Sequence, residues 1–525
     1  MVDGQGRVPP SQRGSSTALI DAGGSRHRRR DPAPTTRWQR GRASLSALFP
    51  GASGLATSRR GLWFALLAVA VGTVVSLLRT TGTGPLQSIW EEDARDVLND
   101  ALNLSAVRAI VRPVAGYYLV FPRLLGEVAT LFPVSWAAAV LSVSSALVVA
   151  LLVVQVYVAS GAHLTSPLAR LLVSAPLLIA PSAENAFSEI YNRPVGLHFF
   201  AIYALFWLLL WTPSGRWGKA GQLTTVGLTA VSTILIIAYL PLALLRVIVR
   251  RDRLSFALFG LVLSGSALQF SSVLGGVAGR GSAPRLDPIW AAATYFFWEV
   301  PNSLLGFDAT KKLSILYPNL LDGARHEVGL VALSLAIPVV VMFAAIIGAR
   351  RGLLRPKWLV GGLAAGYSVW LHVFMVSANG DVAMRYVLPI ELLLFAAMVV
   401  VLNPAWKLDP RASRASLVPR SSWAPLAVLG VFLLVVAAFN YRWGNTYRNR
   451  APVWTDQVRQ AKAECLRKPR LSHVIVRGGP QPFWSIVAVP CHDLIGRHPC
   501  QEPTCEYLDP PQGLGPPRPA TLNPR

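Results

Sequence analysis

Residues 61–78 read GLWFALLAVAVGTVVSLL, and nothing in that run carries a charge. It is long enough for a bilayer, whose hydrocarbon of roughly 30 Å takes about 17–25 residues of helix. Runs of the same kind recur at about 134–158, 168–182, 197–212, 254–275, 328–349, 358–376, 386–402 and 423–439. Residues 222–249 read as a hairpin of short helices broken near Tyr239-Leu-Pro241, because proline lacks an amide donor and clashes with the preceding turn. The expectation is an all-α polytopic membrane protein with about 11 transmembrane helices. Composition agrees: only 14% of residues are charged, against about 25% in a soluble domain. A membrane β-barrel would alternate apolar and polar residues in roughly ten-residue segments, and no such alternation is present.

The formal net charge is +24, and its placement argues against nucleic acid as a partner. Much of it lies in residues 1–60, with Arg28-Arg29-Arg30 and Arg59-Arg60, and in the short loops 246–253, 350–357 and 404–422. Basic residues at such places orient a membrane protein with those loops in the cytoplasm. Residues 1–60 lack periodicity and read as a disordered basic cytoplasmic tail, suited to contact with anionic membrane lipids. The transmembrane domain then covers 61–440, with large outer loops at 79–133 and 276–327. Residues 114–132 are amphipathic and suit the membrane interface. Trp290 and Tyr295-Phe-Phe-Trp298 suit an interfacial aromatic belt. The last span leaves the C-terminus outside the cytoplasm. Residues 441–508 form an extracytoplasmic cysteine-containing region, in which 473–477 and 485–489 read as short strands. Residues 509–525, rich in proline and glycine, read as a disordered tail.

All four cysteines, Cys465, Cys491, Cys500 and Cys505, fall in that region. An even set in an oxidising compartment reads as two disulfides, with three possible pairings. A zinc site with His492 and His498 is the rival, weakened by the lack of a C-x-x-C spacing.

Just after the first span comes Ser88-Ile-Trp-Glu-Glu-Asp-Ala-Arg-Asp-Val-Leu-Asn-Asp-Ala-Leu102. Its carboxylates are Glu91, Glu92, Asp93, Asp96 and Asp100. On a helix Asp93, Asp96 and Asp100 share a face, and like charges so spaced cost a few tenths of a kcal/mol each. A cation, an arginine or a use must offset that cost. Asp96 and Asp100 read as a solvent-facing continuation of the helix. Other ionisable groups expected at the same side are Glu184, Glu189, Asn192 and Arg193, then His198, then Asp381, Arg385 and Tyr386, with Arg112 and Arg123 in the first loop. Carboxylates beside arginines at a membrane face suit a reaction on a lipid phosphate. The acid takes a hydroxyl proton and the arginine meets the departing phosphate. No Walker, H-E-x-x-H, G-x-S-x-G or Rossmann motif stands in a usable context, which argues against a nucleotide-driven pump.

Several segments resemble the GT-C superfamily of membrane glycosyltransferases, and a group of actinobacterial membrane proteins of that layout. They are Trp90-Glu-Glu-Asp-Ala-Arg95, Arg112-Pro-Val-Ala-Gly-Tyr-Tyr-Leu-Val-Phe-Pro-Arg123, Leu197-His198 and Arg385-Tyr-Val-Leu-Pro389. The likeness covers about residues 60–440. It implies transfer of a sugar from a polyprenyl-phosphate donor to a cell-envelope glycan or glycolipid on the extracytoplasmic face of the plasma membrane. Glu92 and Asp93 match the acidic pair, with Asp93 as the base and Glu92 positioning the acceptor or a divalent cation. Arg385 matches the arginine that holds the lipid phosphate. Tyr386, Arg112 and His198 fall among the substrate-binding groups. Many members carry Asp-Glu or Asp-x-Asp where this chain has Glu-Glu-Asp. The alternative is a non-enzymatic membrane transporter or envelope-assembly protein, which should carry ionisable residues or broken helices near the bilayer midplane.

Overall fold

The structure is a computed structural model. It describes residues 45–51, 59–114, 116–181, 190–274, 287–306, 325–379, 384–405, 422–442, 448–479 and 485–496.

Helix dominates these residues. Five helices are long and apolar enough to cross a membrane. They are α1 (Arg59–Leu77), α2 (Ala137–Ser160), α4 (Arg253–Leu274), α5 (Arg325–Arg350) and α6 (Trp358–Asn379), where α3 is the shorter helix Leu197–Leu210. Their outer surfaces are greasy: Trp63 and Phe64 of α1 are each 71% exposed, an apolar face that only lipid or another apolar surface covers. Two short helices, α3 and α7 (Val387–Val401), are apolar around nearly their whole circumference, with His198 on α3 and Glu391 on α7 as their ionisable residues apart from tyrosine. Each residue of α7 is buried, and so is all of α3 but Ala201. A helix that is apolar nearly all round belongs at the centre of a bundle. At about 1.5 Å per residue, α3 is shorter than the hydrocarbon is thick. Among the described residues length and composition thus mark five crossings of the expected eleven. The remaining apolar helices are Pro167–Ile179, bent at Pro176, and α8 (Ala424–Asn440).

The helix ends follow local chemistry. Ser166 caps the helix that starts at Pro167, accepting from the Ala169 amide at 3.2 Å. Asp287 does the same for Pro288–Thr294, through the Trp290 amide at 2.9 Å. Both place proline at the first helical position, where its missing donor costs nothing. The 222–249 region divides as expected, into Arg216–Ala230, a 3-10 turn Ile234–Tyr239 and Leu240–Arg250.

One expectation changes. Within the supposed loop 276–327, residues 288–305 are helical, with a π turn at Tyr295–Glu299. Tyr295, Trp298 and Glu299 are buried against α6 and α7, while Phe296 and Phe297 stay half exposed. The aromatic run is thus divided between core and surface.

The C-terminal region forms α9 (Trp454–Arg467), a two-stranded antiparallel sheet of β1 (His473–Arg477) and β2 (Ile486–Pro490), and a helical turn Cys491–Ile495. Both strands were legible as Val/Ile alternations. A disulfide joins Cys465 to Cys491; Cys500 and Cys505 lie outside the described residues. The region is fastened to the acidic segment. The Glu91 amide donates to the Gly479 carbonyl at 2.8 Å, and the Gly479 amide to that of Ile89 at 2.9 Å. The Ala488 amide donates to Asn99 Oδ1 at 2.9 Å, and buried Arg448 reaches Ser88 Oγ at 3.0 Å and the Tyr191 carbonyl at 2.9 Å.

The acidic segment itself is a π turn, Asp93–Leu98, running into a short α-helix, Asn99–Asn103. Beneath it lies the helix Val120–Thr130, with Gly126 at the closest approach. A β-carbon there would stand 2.7 Å from Val97 Cγ1 and 2.9 Å from the Val97 carbonyl oxygen. Backbone cannot yield as a side-chain tip does. Gly126→Ala is expected to destabilise the protein by about 1–3 kcal/mol, read as the unfolding temperature in detergent. Wild-type stability would mean that the acidic segment slides freely.

Candidate functional site

Arg193 is the centre of the site. Its Nε donates to Asp93 Oδ2 at 2.9 Å, its Nη2 to Glu92 Oε2 at 2.7 Å, and its Nη1 lies 3.5 Å from Glu91 Oε2. Three carboxylates thus share one buried guanidinium. Two backbone kinks make this possible. Glu91 adopts φ +40° at the start of the acidic turn, and Asn192 adopts φ +59° just before Arg193. Asparagine tolerates that conformation better than most residues. Asn192 is pinned by its amide, which donates to the Ser76 carbonyl at 2.9 Å and Thr80 Oγ1 at 3.0 Å. The end of α1 therefore aims Arg193 at the acids that follow α1.

The three carboxylates are not equivalent. Asp93 is 2% exposed. Both of its oxygens are taken, Oδ2 by Arg193 and Oδ1 by the Val195 amide at 3.0 Å. Burial pushes its carboxyl above the ordinary aspartate range, against the pull of Arg193 and the Val195 amide. Glu91 is pushed up as well, by burial first, with Arg193 opposing. Glu92 goes the other way. Burial opposes its ionisation, but Arg193, its own backbone amide and Arg385 outweigh that, so its carboxyl is held below the usual value. Its side chain is 31% exposed. Glu92 is thus the acid of the trio that stays charged and meets solvent.

Aromatic and basic groups stand around this cluster. His198 donates from Nδ1 to the Val195 carbonyl at 2.6 Å, which leaves Nε2 as an acceptor. Its ring lies 6.3 Å from that of Tyr117 and 3.9 Å from that of Phe199, and Phe199 lies 6.1 Å from Tyr386. The exposed Arg385 guanidinium sits 5.3 Å above the Tyr386 ring, and its charge is felt at Glu91 and Glu92. Glu92, Asp93, His198, Arg385 and Tyr386 therefore meet at one end of the bundle. The basic turns at Arg250–Arg253 and Arg350–Lys357 lie at the other end, where the Arg355 amide meets the Asn403 carbonyl beyond α7.

Arg112 is not part of this cluster. It pairs with Asp100 at 2.6 Å, and Arg123 takes the other Asp100 oxygen at 2.8 Å. Asp100 is 3% exposed, so the expected solvent-facing acid is a buried anchor held by two arginines. Asp96 is partly exposed and pairs with its neighbour Arg95 at 2.7 Å. The sequence raised Arg193 only as one loop residue among several. Its one local signal was a lone arginine before Pro194, between two apolar runs. Arg448 gave no signal at all. Glu184, Glu189 and Asp381 lie outside the described residues.

Among the described residues, no three His, Cys, Asp or Glu side chains gather as a metal site. Between Glu91, Glu92 and Asp93 the position a divalent cation would take is filled by Arg193. Cys491 is in the disulfide and His492 pairs with Asp493 at 3.3 Å, so neither is arranged for zinc. No protein-family model matches this chain, and a search of curated proteins finds no relative.

Proposed function

We propose that this protein is an integral glycosyltransferase of GT-C-like architecture. It moves a sugar from a polyprenyl-phosphate donor to a cell-envelope glycan or glycolipid on the extracytoplasmic face of the plasma membrane. The observation that carries the reading is the meeting of an ionised, part-exposed Glu92 with an exposed Arg385 at one end of the apolar bundle, opposite the basic turns. By the positive-inside rule that end is extracytoplasmic.

Our reading exchanges the two roles that the resemblance implied. A base needs a lone pair within reach of the acceptor hydroxyl, and Asp93 has neither oxygen to spare. Glu92 is the base, and Asp93 positions Arg193. Glu92 takes the hydroxyl proton as the acceptor oxygen bonds to the anomeric carbon. The bond from that carbon to the phosphate oxygen breaks, and Arg385 meets the charge on the departing polyprenyl phosphate. Attack opposite the leaving group inverts configuration. Tyr386 and His198 stand beside base and arginine, and the His198 Nε2 lone pair is an acceptor for a sugar hydroxyl.

The test is transfer from a labelled polyprenyl-phosphate sugar in membranes holding the full chain. Glu92→Gln is expected to lower transfer by at least about 10²-fold, the usual worth of a general base, with the protein still folded. Undiminished transfer removes Glu92 from that role.

A further inference from the structure

A second ionisable cluster lies inside the bundle, and the glycosyl-transfer reading makes no use of it. Glu299 and His372 are each 1% exposed, and Glu299 Oε2 faces His372 Nδ1 at 3.4 Å. Glu299 ends the π turn Tyr295–Glu299, and His372 stands on α6, seven residues before Asn379, or about 10 Å of helix. Thr294 fixes the histidine tautomer. Its hydroxyl donates to the Ala291 carbonyl at 2.9 Å, so towards His372 Nε2, also at 2.9 Å, it is an acceptor. Nε2 therefore carries a hydrogen. Nδ1 then faces the carboxyl either as a lone pair or as an N–H.

Those two choices have one content. With a lone pair on Nδ1, the carboxyl must hold the proton. With an N–H on Nδ1, the carboxyl must be ionised. Glu299 Oε2 is a buried oxygen with no hydrogen bond as it stands; one proton placed between it and Nδ1 would satisfy both atoms, and without it a carboxylate faces a lone pair. Ser303 Oγ adds a long contact of 3.4 Å to Glu299 Oε1. Among the described residues no arginine or lysine takes part. The titratable side chains on the surrounding elements are Tyr295, whose ring is 5.4 Å from His372 and whose hydroxyl pairs with Ser368, Glu391 on α7, Tyr367 on α6 and Tyr239 of the 3-10 turn packed on α6. On α5 the charged residue among the described side chains is Arg350, at the opposite end of the bundle.

We propose that Glu299 and His372 form an intramembrane proton-binding site holding one exchangeable proton between Oε2 and Nδ1. An ionisable pair inside an apolar bundle is costly to keep, and π turns are frequent where a helix serves a function. In these apolar surroundings the proton rests on the carboxyl, since the neutral acid and neutral imidazole avoid burying two charges. Release is the transfer of that proton to water, leaving the carboxylate. Because Glu299 belongs to the 288–305 segment and His372 to α6, proton loss puts a repulsion across the packing of the two.

The site is tested by infrared difference spectroscopy of the full chain in detergent, titrated with pH. Wild type should show a carboxylic-acid carbonyl band that disappears at high pH. Glu299→Gln should lose that band and its titration while other buried acids keep theirs. His372→Asn should lose the band at lower pH, because the acid no longer donates to a ring lone pair and an amide N–H can meet the carboxylate. Size-exclusion profiles show which variants fold, and the wild-type titration stands without them. A band that ignores pH in wild type, or a titrating band unchanged in Glu299→Gln, overturns the proposal. The readout needs no sugar transfer, so it stands or falls apart from the proposed enzyme activity.

Discussion

Replacing Arg193 by alanine is expected to cost about 3–5 kcal/mol of stability, because it strands buried carboxylates that its guanidinium now neutralises. Asp93 suffers most, losing its Oδ2 partner while remaining 2% exposed. Arg193→Lys should fall between wild type and alanine. An ammonium keeps the charge but cannot reach Asp93, Glu92 and Glu91 in one plane. The alanine variant also has a pH signature. Without the guanidinium, burial raises the folded-state pKa of Asp93 further above its unfolded value. Stability is then greatest at low pH, where the carboxyl is neutral, and falls as pH rises through the folded value. Unfolding temperatures of wild type and Arg193→Ala across pH check this, with the gap widening towards alkaline pH. A constant gap would show that the carboxylates relax into solvent.

The disulfide should matter almost as much. Cys465 and Cys491 are 26 residues apart, and closing a loop of that length restricts the unfolded chain by about 3–4 kcal/mol. Cys465→Ser with Cys491→Ser is expected to lose that amount. Hydrogen exchange at the Ala488 amide is the sharper measurement, since that hydrogen is held by Asn99 of the acidic helix. Its exchange should quicken in the double variant. If it does not, the strands hold their place on the acidic segment without the bond.

The helices were legible because their signal is local. An uninterrupted apolar run is visible whatever surrounds it, and the run 386–402 became α7 almost residue for residue. The strand pair showed through His473-Val-Ile-Val-Arg477 for the same reason. The site was legible only in part. The acidic trio, His198, Arg385 and Tyr386 stood out by type and by lying at the ends of apolar runs. Their electrostatics did not, because the decisive group is 100 residues away in sequence from Asp93. Asp100 was misread for the same reason. An acid among acids looks solvated until the arginines folded over it, Arg112 and Arg123, are seen. Residues 288–305 read as a loop because Glu299 and Asn302 interrupt their hydropathy, and those interruptions are the groups the bundle has buried.

The fastening of residues 448–491 to residues 87–103 bears on how the protein is made. Arg448 meets Ser88 across 360 positions of chain. A ribosome adding about 5–20 residues per second needs roughly 20–70 s to cover that interval. Throughout it the acidic turn has emerged without the strand edge and the guanidinium that hold it. The newborn protein therefore passes tens of seconds with this end of the bundle unfinished. Completion waits on the late segment and on oxidation of Cys465 and Cys491, so maturation of this end is timed by the close of synthesis and by redox chemistry rather than by insertion of the early helices.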